Sequence, residues 1–331
     1  MQTATTQAVT FLSPDDIELR PIAMPPPGPG QVRLRTEWSS ISAGTEGWVW
    51  RNAFTWAPTP YPCVPGYQRV GIVESVGDGV EGWSVGQRAM ATVGAWQGEI
   101  PPFWGSHAGL AVTSASELYA LPDGLAPRDA SVAVVAQVGY NAASRLTLPP
   151  GSVVVVYGDG LIGQFGGQAA LARGARVVVV GHRAERLAKA AAWGALTVNS
   201  HEQPVVEAVR GLVDQPVTGV IDTVQSEASQ REYLDLLPHG QGQVVYSGFT
   251  PGTAWADMAL LQQRELTCHF VSGWSRPRME ATLALLASGG LNYGALLTHC
   301  EPAAKAPDLY RLVRAKDPTA LGLTIDWSDL T

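Results

Sequence analysis

Val153-Val154-Val155-Val156-Tyr157-Gly158-Asp159-Gly160-Leu161-Ile162-Gly163 is a run of four valines closed by three glycines spaced Gly-x-Gly-x-x-Gly. A short continuous apolar run ending in a glycine turn predicts a strand buried on both faces. Residues 161–173 then carry helical character and stop at Gly174, and residues 177–180 form a second apolar run. Strand, helix and strand within about 30 residues make a right-handed βαβ unit of a parallel sheet. In that setting Gly158 permits the tight turn, Gly160 lets the backbone approach a pyrophosphate, and Gly163 lets helix and strand pack closely. Leu161 and Ile162 open the helix, whose N-terminal N–H groups and positive dipole end suit phosphates. The alternative is a turn with only a structural role. Asp159, an anion beside that site, is expected to point to solvent.

The second apolar run ends in Gly181-His182-Arg183, with nothing acidic before Glu185. Dinucleotide folds that prefer NAD place an acidic residue about 20 residues after the glycine turn, to hold the ribose 2′-hydroxyl. Here Gly181 leaves room, the Arg183 guanidinium can bind a 2′-phosphate bidentately, and Arg186 adds charge one turn further on. His182 and these neighbours therefore predict NADPH (NADP+) as the favoured cofactor over NADH. The other reading is a solvated basic helix start.

Working outward, residues 219–222, 243–246 and 266–270 are further strand candidates, alternating with helix candidates at 185–193, 230–236 and 278–288. Residues 129–146 predict a helix, and 308–331 end in an alternating, strand-like tail. The first 125 residues differ: short β-patterned runs at 31–36, 71–76, 87–93 and 110–113 are punctuated by Gly and Pro, as in a folded-over β domain. A chain of 331 residues exceeds one ordinary core, so two domains are expected. The net charge of −7 argues against nucleic-acid or membrane-surface partners, which want a cationic face. No apolar run approaches the ~18 residues of a membrane helix, and no secretory signal is visible at the N-terminus. Cys63, Cys268 and Cys300 are odd in number and far apart, which suits a reducing cytoplasm.

With the glycine turn placed, other motifs fall into order. Ile41-Ser42-Ala43-Gly44-Thr45-Glu46 resembles an I-C-G-T-D segment, and Gly66-Tyr67-Gln68-Arg69-Val70-Gly71 a G-H-E-x-x-G segment. Trp83–Arg88, Gly105-Ser106-His107-Ala108 and Leu121-Pro122-Asp123-Gly124 follow at matching intervals. In this order the chain resembles the medium-chain dehydrogenase/reductase superfamily over nearly its whole length. Residues 39–46 and 61–67 are most similar to the branch that contains the bacteriochlorophyllide hydroxyethyl dehydrogenase. The resemblance implies an α/β fold: a GroES-like β-rich catalytic domain (1–125 with 297–331) and a Rossmann domain with a doubly wound parallel sheet (126–296). It also implies an NAD(P)-dependent oxidoreductase acting on a small molecule, and a homodimer joined through the Rossmann sheets. Further cofactor contacts would fall at Val224, Gly248, Phe249, Ser272 and Gly273.

The departures concern metal. Zinc enzymes of the superfamily bind catalytic zinc at positions that here hold Ala43, Tyr67 and, by spacing, Val134. Ala and Val cannot ligate, and Tyr is a poor zinc ligand beside His or Cys. The four-cysteine lobe is missing too, so neither zinc site is expected. A hydrogen-bond donor must then stabilise the developing oxyanion. Tyr67 can donate that bond or simply fill the cavity; Thr45 can relay protons or only cap a helix. His107 reads as structural. His299 and Cys300 are expected in packed core positions. Trp48, Trp50, Trp56 and Trp104 are candidates for an apolar cleft taking a bulky or aromatic substrate, the alternative being ordinary burial. Three functions remain open: a zinc-independent NADPH-linked reductase of a carbonyl or activated C=C, an alcohol dehydrogenase oxidising a hydroxyalkyl group, and a dinucleotide-binding sensor or accessory protein without turnover.

Overall fold

The computed structural model describes residues 2–54, 57–249 and 256–330; Trp56 lies outside the described residues. Two compact units emerge, one running to Val134 and resuming at Leu297, the other spanning Val135–Leu296.

In the first unit, β1 (Ala4–Ser13) and β2 (Asp16–Met24) form an antiparallel hairpin. Next come β3 (Gln31–Ser40), α1 (Ala43–Trp50), β4 (Arg69–Val76), β5 (Arg88–Ala91), β6 (Leu110–Ser114) and β7 (Leu118–Ala120). The helix expected at 129–146 is two: α2 (Pro127–Ala130) and α3 (Ala133–Arg145). The break falls at Ser131, whose Oγ donates back to the Arg128 carbonyl (2.6 Å) and lies 2.6 Å from Ser40 Oγ. A serine that bonds its own preceding turn competes with helix continuation. α2 packs on β3 and β4, so the first unit extends nine residues beyond the boundary expected at 125.

The second unit alternates strand and helix: β8 (Val153–Tyr157), α4 (Leu161–Ala172), β9 (Arg176–Gly181), α5 (Ala184–Ala192), β10 (Leu196–Asn199), α6 (Val205–Leu212), β11 (Val217–Asp222), α7 (Glu227–Leu236), β12 (Gln243–Tyr246), α8 (Met258–Gln263), β13 (Thr267–Phe270) and α9 (Arg276–Ala287). All strand pairs are parallel, in the order β10-β9-β8-β11-β12-β13. This is the doubly wound sheet that the resemblance implies, with its topological switch between β8 and β11, where ligands of such sheets bind. β8 is buried at every residue, as its unbroken valines require. The chain then returns as β14 (Leu297–Pro302), α10 (Ala306–Ala315) and β15 (Gly322–Asp326). These complete a seven-stranded sheet ordered β14-β15-β3-β4-β5-β7, with β6 paired to β3. That mixed sheet, with the hairpin, is the GroES-like architecture.

Candidate functional site

The glycine turn joins β8 to α4 as expected, and each glycine answers a different constraint. Gly158 has φ +112, and a Cβ there would sit 2.1 Å from Thr223 Oγ1. At Gly163 a Cβ would lie 2.0 Å from the Gly158 carbonyl oxygen, so helix and turn touch backbone to backbone. At Gly160 nothing lies within 4 Å of a Cβ. Gly160 is the N-cap of α4 and supplies no side chain to cover the helix start. These are the features a nicotinamide dinucleotide needs: a tight turn, close packing, and an open surface over a helix N-terminus.

A cavity of about 350 Å³ opens beside this turn. Of the residues expected at the cofactor, Gly158, Gly160, Gly181, His182, Arg183, Arg186 and Val224 line it. Leu161, Ile162 and Gly163 form the first turn of α4 and do not line it, nor do Gly248, Phe249, Ser272 and Gly273. Phe249 is exposed, and the Gly273 carbonyl accepts from Gln137 Nε2 at 3.2 Å. Lining residues not expected from the sequence include Tyr157, Val180, Ser200, Thr223, Ser226, Ala228, Ser229 and Glu232. They lie at strand ends and on α7, and carry no motif. The loop after β11 is fixed by Asp222, whose Oδ1 accepts from the backbone of Val224 (2.9 Å) and Gln225 (2.8 Å). Burial pushes that carboxyl up to about 6. His182 stacks on His201, with ring centroids 4.8 Å apart.

Asp159 corrects the sequence reading, which pointed it at solvent. Its carboxylate turns inward to the end of β9. There Oδ2 accepts from the backbone of His182 (3.1 Å) and Arg183 (3.0 Å), while Oδ1 lies 3.4 Å from Arg183 Nη1 and 3.5 Å from Arg186 Nη1. Two backbone donors and two guanidinia outweigh exposure to water.

In the first unit, Tyr67 is 7% exposed and its ring meets Trp104 edge-on at 5.1 Å. Burial, and then the charge of Glu46, raise the phenol above its ordinary range, so it stays protonated. The side chains of Ser42 and Thr45 lie by its hydroxyl and work to lower its pKa. Thr45 is the third residue of α1; the N-cap is Ser42, so Thr45 is not the cap. Glu46 is fully buried and accepts from Ser42 N (2.8 Å), His107 Nε2 (2.9 Å) and the Tyr310 hydroxyl. His107 Nδ1 lies 2.8 Å from Ser39 Oγ. Both ring nitrogens of His107 are thus engaged inside the core, in a structural role.

The three zinc-ligand positions carry Ala43, Tyr67 and Val134. The neighbour of Tyr67, Gln68, receives the Val134 N–H on Oε1 and donates from Nε2 to the Ser40 carbonyl, each at 3.1 Å. Among the described residues no three His, Cys, Asp or Glu side chains gather as a metal set. These residues do not fit a catalytic zinc. Burial pushes the Cys63 thiol up to about 12, which suits an inert core cysteine.

The tryptophans divide. Trp50 is a correction: it is 2% exposed, donates from Nε1 to the Asp16 carbonyl at 3.2 Å, and packs on Phe11 and Tyr310. A ring so enclosed has no face for substrate. Trp48 is half-buried, edge-on to Phe54, and Trp104 lies against Tyr67. His299 and Cys300 also differ from expectation. They lie in β14, at the edge of its sheet, and Cys300 is exposed.

Two family models match the chain: an alcohol dehydrogenase GroES-like domain over residues 28–123 and a zinc-binding dehydrogenase domain over 162–288. The 2-desacetyl-2-hydroxyethyl bacteriochlorophyllide A dehydrogenase of Rhodobacter capsulatus is 27% identical, covering 98% of this chain and 99% of that one. The sorbitol dehydrogenase of Ovis aries is 26% identical over 90% of each. Among solved structures, a Sinorhizobium meliloti protein described as a zinc-binding dehydrogenase, bound to NADP, superposes with a TM-score of 0.84. It is 22% identical, covering 98% of this chain and all of that one.

Proposed function

This chain belongs to the medium-chain dehydrogenase/reductase superfamily of NAD(P)-dependent oxidoreductases, and we propose that within it the protein is a zinc-independent reductase using NADPH. Its substrate class is a carbonyl or activated C=C on a bulky apolar or aromatic molecule. The observation that carries this reading is Tyr67: a buried, neutral phenol beside Ser42 and Thr45 at a position where zinc enzymes have a ligand.

Bound nicotinamide supplies the hydride. The glycine turn and Val224 hold the dinucleotide, and Arg183 and Arg186 favour a 2′-phosphate. Tyr67 donates a hydrogen bond to the substrate oxygen that gains charge, while Thr45 keeps the phenol oriented. Trp104 and Trp48 offer apolar surface to the substrate. The protein works on small molecules in the cytoplasm, apart from membrane surfaces and nucleic acid; the net charge of −7 argues against the last two, which want a cationic face. Among the described residues, no helix is long and apolar enough to cross a membrane.

The test follows NADPH and NADH oxidation against enones, quinones and aryl ketones, using protein of measured metal content. Turnover preferring NADPH, with zinc far below one per chain, is expected. Stoichiometric zinc, lost together with activity on chelation, would overturn it. The second reading, oxidation of a hydroxyalkyl group, is favoured by the Rhodobacter relative's near-complete coverage. It predicts NADP+ reduction by a hydroxyethyl arene and no enone reduction. Tight cofactor binding without any turnover would instead indicate a sensor.

We also propose a homodimer joined along β13, the outer strand of the parallel sheet, where Phe270 is 71% exposed. Light scattering at micromolar concentration should give twice the chain mass; a monomer there rejects it.

A further inference from the structure

We propose that Asp159 is a specificity-determining residue: from the glycine turn it places a carboxylate at the end of β9, where it holds Arg183 and Arg186 and limits the preference for a 2′-phosphorylated dinucleotide. This rests on the NADPH reading above and adds a control to it.

The strand end that lacks an acid in sequence does not lack one in space. A Cβ at Gly181 would come within 2.7 Å of Asp159 Cβ and Oδ2. The room that Gly181 leaves is therefore already filled by Asp159. The two oxygens of the carboxylate differ. Oδ2 is fixed by the backbone N–H groups of His182 and Arg183, at 3.1 and 3.0 Å. Oδ1 meets the two guanidinia only at 3.4 and 3.5 Å, longer than a good charge-assisted bond. The side chain of Asp159 is 4% exposed, against 25% for Arg183 and 14% for Arg186, and all three line the cavity. The arginines are thus the accessible partners and the carboxylate lies behind them.

Asp159 offsets one of the two positive charges of Arg183 and Arg186, so a 2′-phosphate meets a net charge of about one from these three side chains. A ribose 2′-hydroxyl carries no charge, so it loses little when the carboxylate offsets the guanidinia. The pocket is graded rather than absolute in its choice, and Asp159 sets the grade.

Asp159→Asn is the isosteric test. Its amide oxygen can still accept from the backbone at 182 and 183, while its NH₂ faces the guanidinia and releases them. NADPH, NADH, 2′,5′-ADP and 5′-AMP are titrated by calorimetry, the last two reporting the ribose end without turnover. The ratio of NADPH to NADH affinity should rise roughly tenfold, matched by 2′,5′-ADP over 5′-AMP. In the double variant Arg183→Ala/Arg186→Ala the carboxylate stands alone, and the ratio should fall by at least about tenfold. Equal weakening of both cofactors in Asp159→Asn, or a ratio moved towards NADH, overturns the proposal. If Asp159→Asn fails to fold, an unchanged ratio in the double variant overturns it. Wild-type protein that binds NADH more tightly, yet still gains NADPH preference in Asp159→Asn, rejects the NADPH reading and keeps the role of Asp159.

Discussion

Tyr67→Phe should fold, bind NADPH as the wild type does, and turn over its substrate at least about tenfold more slowly. Loss of an oxyanion donor typically costs ~10²–10³ in rate, so tenfold is a conservative floor. The substitution isolates the hydroxyl because the ring stays. Tyr67 is 7% exposed and packs edge-on against Trp104, and phenylalanine keeps both the volume and that contact. Removing one buried hydroxyl costs at most about 0.5–1.5 kcal/mol in stability, too little to unfold a domain. An interaction made only in the transition state appears in kcat with KM unchanged. Because burial raises the phenol's pKa, Tyr67 stays protonated through neutral pH and should add no basic limb to the rate profile there. A variant with near-wild-type kcat would mean that Tyr67 only fills space, leaving Thr45 or a water as the acid.

The parallel sheet was readable in the sequence because its signals are local. Four valines before a glycine turn need no distant partner to be recognised, and β8, α4 and β9 lie within a residue or so of where the pattern puts them. What was missed has two causes. Some elements are short or polar: β10 is only Leu-Thr-Val-Asn, and α6 carries Gly211 near its end, so neither shows a clean period. The β1–β2 hairpin turns through Asp15 at φ +68, where a glycine would have advertised the turn. Other features depend on residues far away in the chain. Trp50 looked like a cleft residue beside a functional motif, but it is enclosed by Phe11, Asp16 and Tyr310. Asp159 looked misplaced beside phosphates until β9 returned the His182 and Arg183 N–H groups to it. The candidate site was legible where backbone geometry dictates the residue. It was opaque where side chains from separate strands meet.

The same backbone logic separates two substitutions that look alike in sequence. Gly163→Ala and Gly160→Ala each add one methyl to the glycine turn. At Gly163 the new Cβ would lie 2.0 Å from the Gly158 carbonyl oxygen and 3.3 Å from Val156 Cγ1. The first of these is main chain and cannot rotate away, so α4 must move off β8. Overpacking of this kind costs about 1–3 kcal/mol or more. It also deforms the turn, so both urea stability and NADPH binding should fall together. Gly160 has φ −75 and ψ 174, a conformation open to any L-residue, and no heavy atom lies within 4 Å of its Cβ. Gly160→Ala should therefore match the wild type in urea to within about 0.5 kcal/mol. Its methyl, however, projects where the backbone must let a pyrophosphate approach, and NADPH affinity should drop by roughly tenfold or more. Urea midpoints and fluorescence titration on the two variants supply the contrast. If Gly160→Ala is as stable as the wild type and binds NADPH equally well, the pyrophosphate does not cross this turn, and the cavity beside Asp159 is not the dinucleotide site.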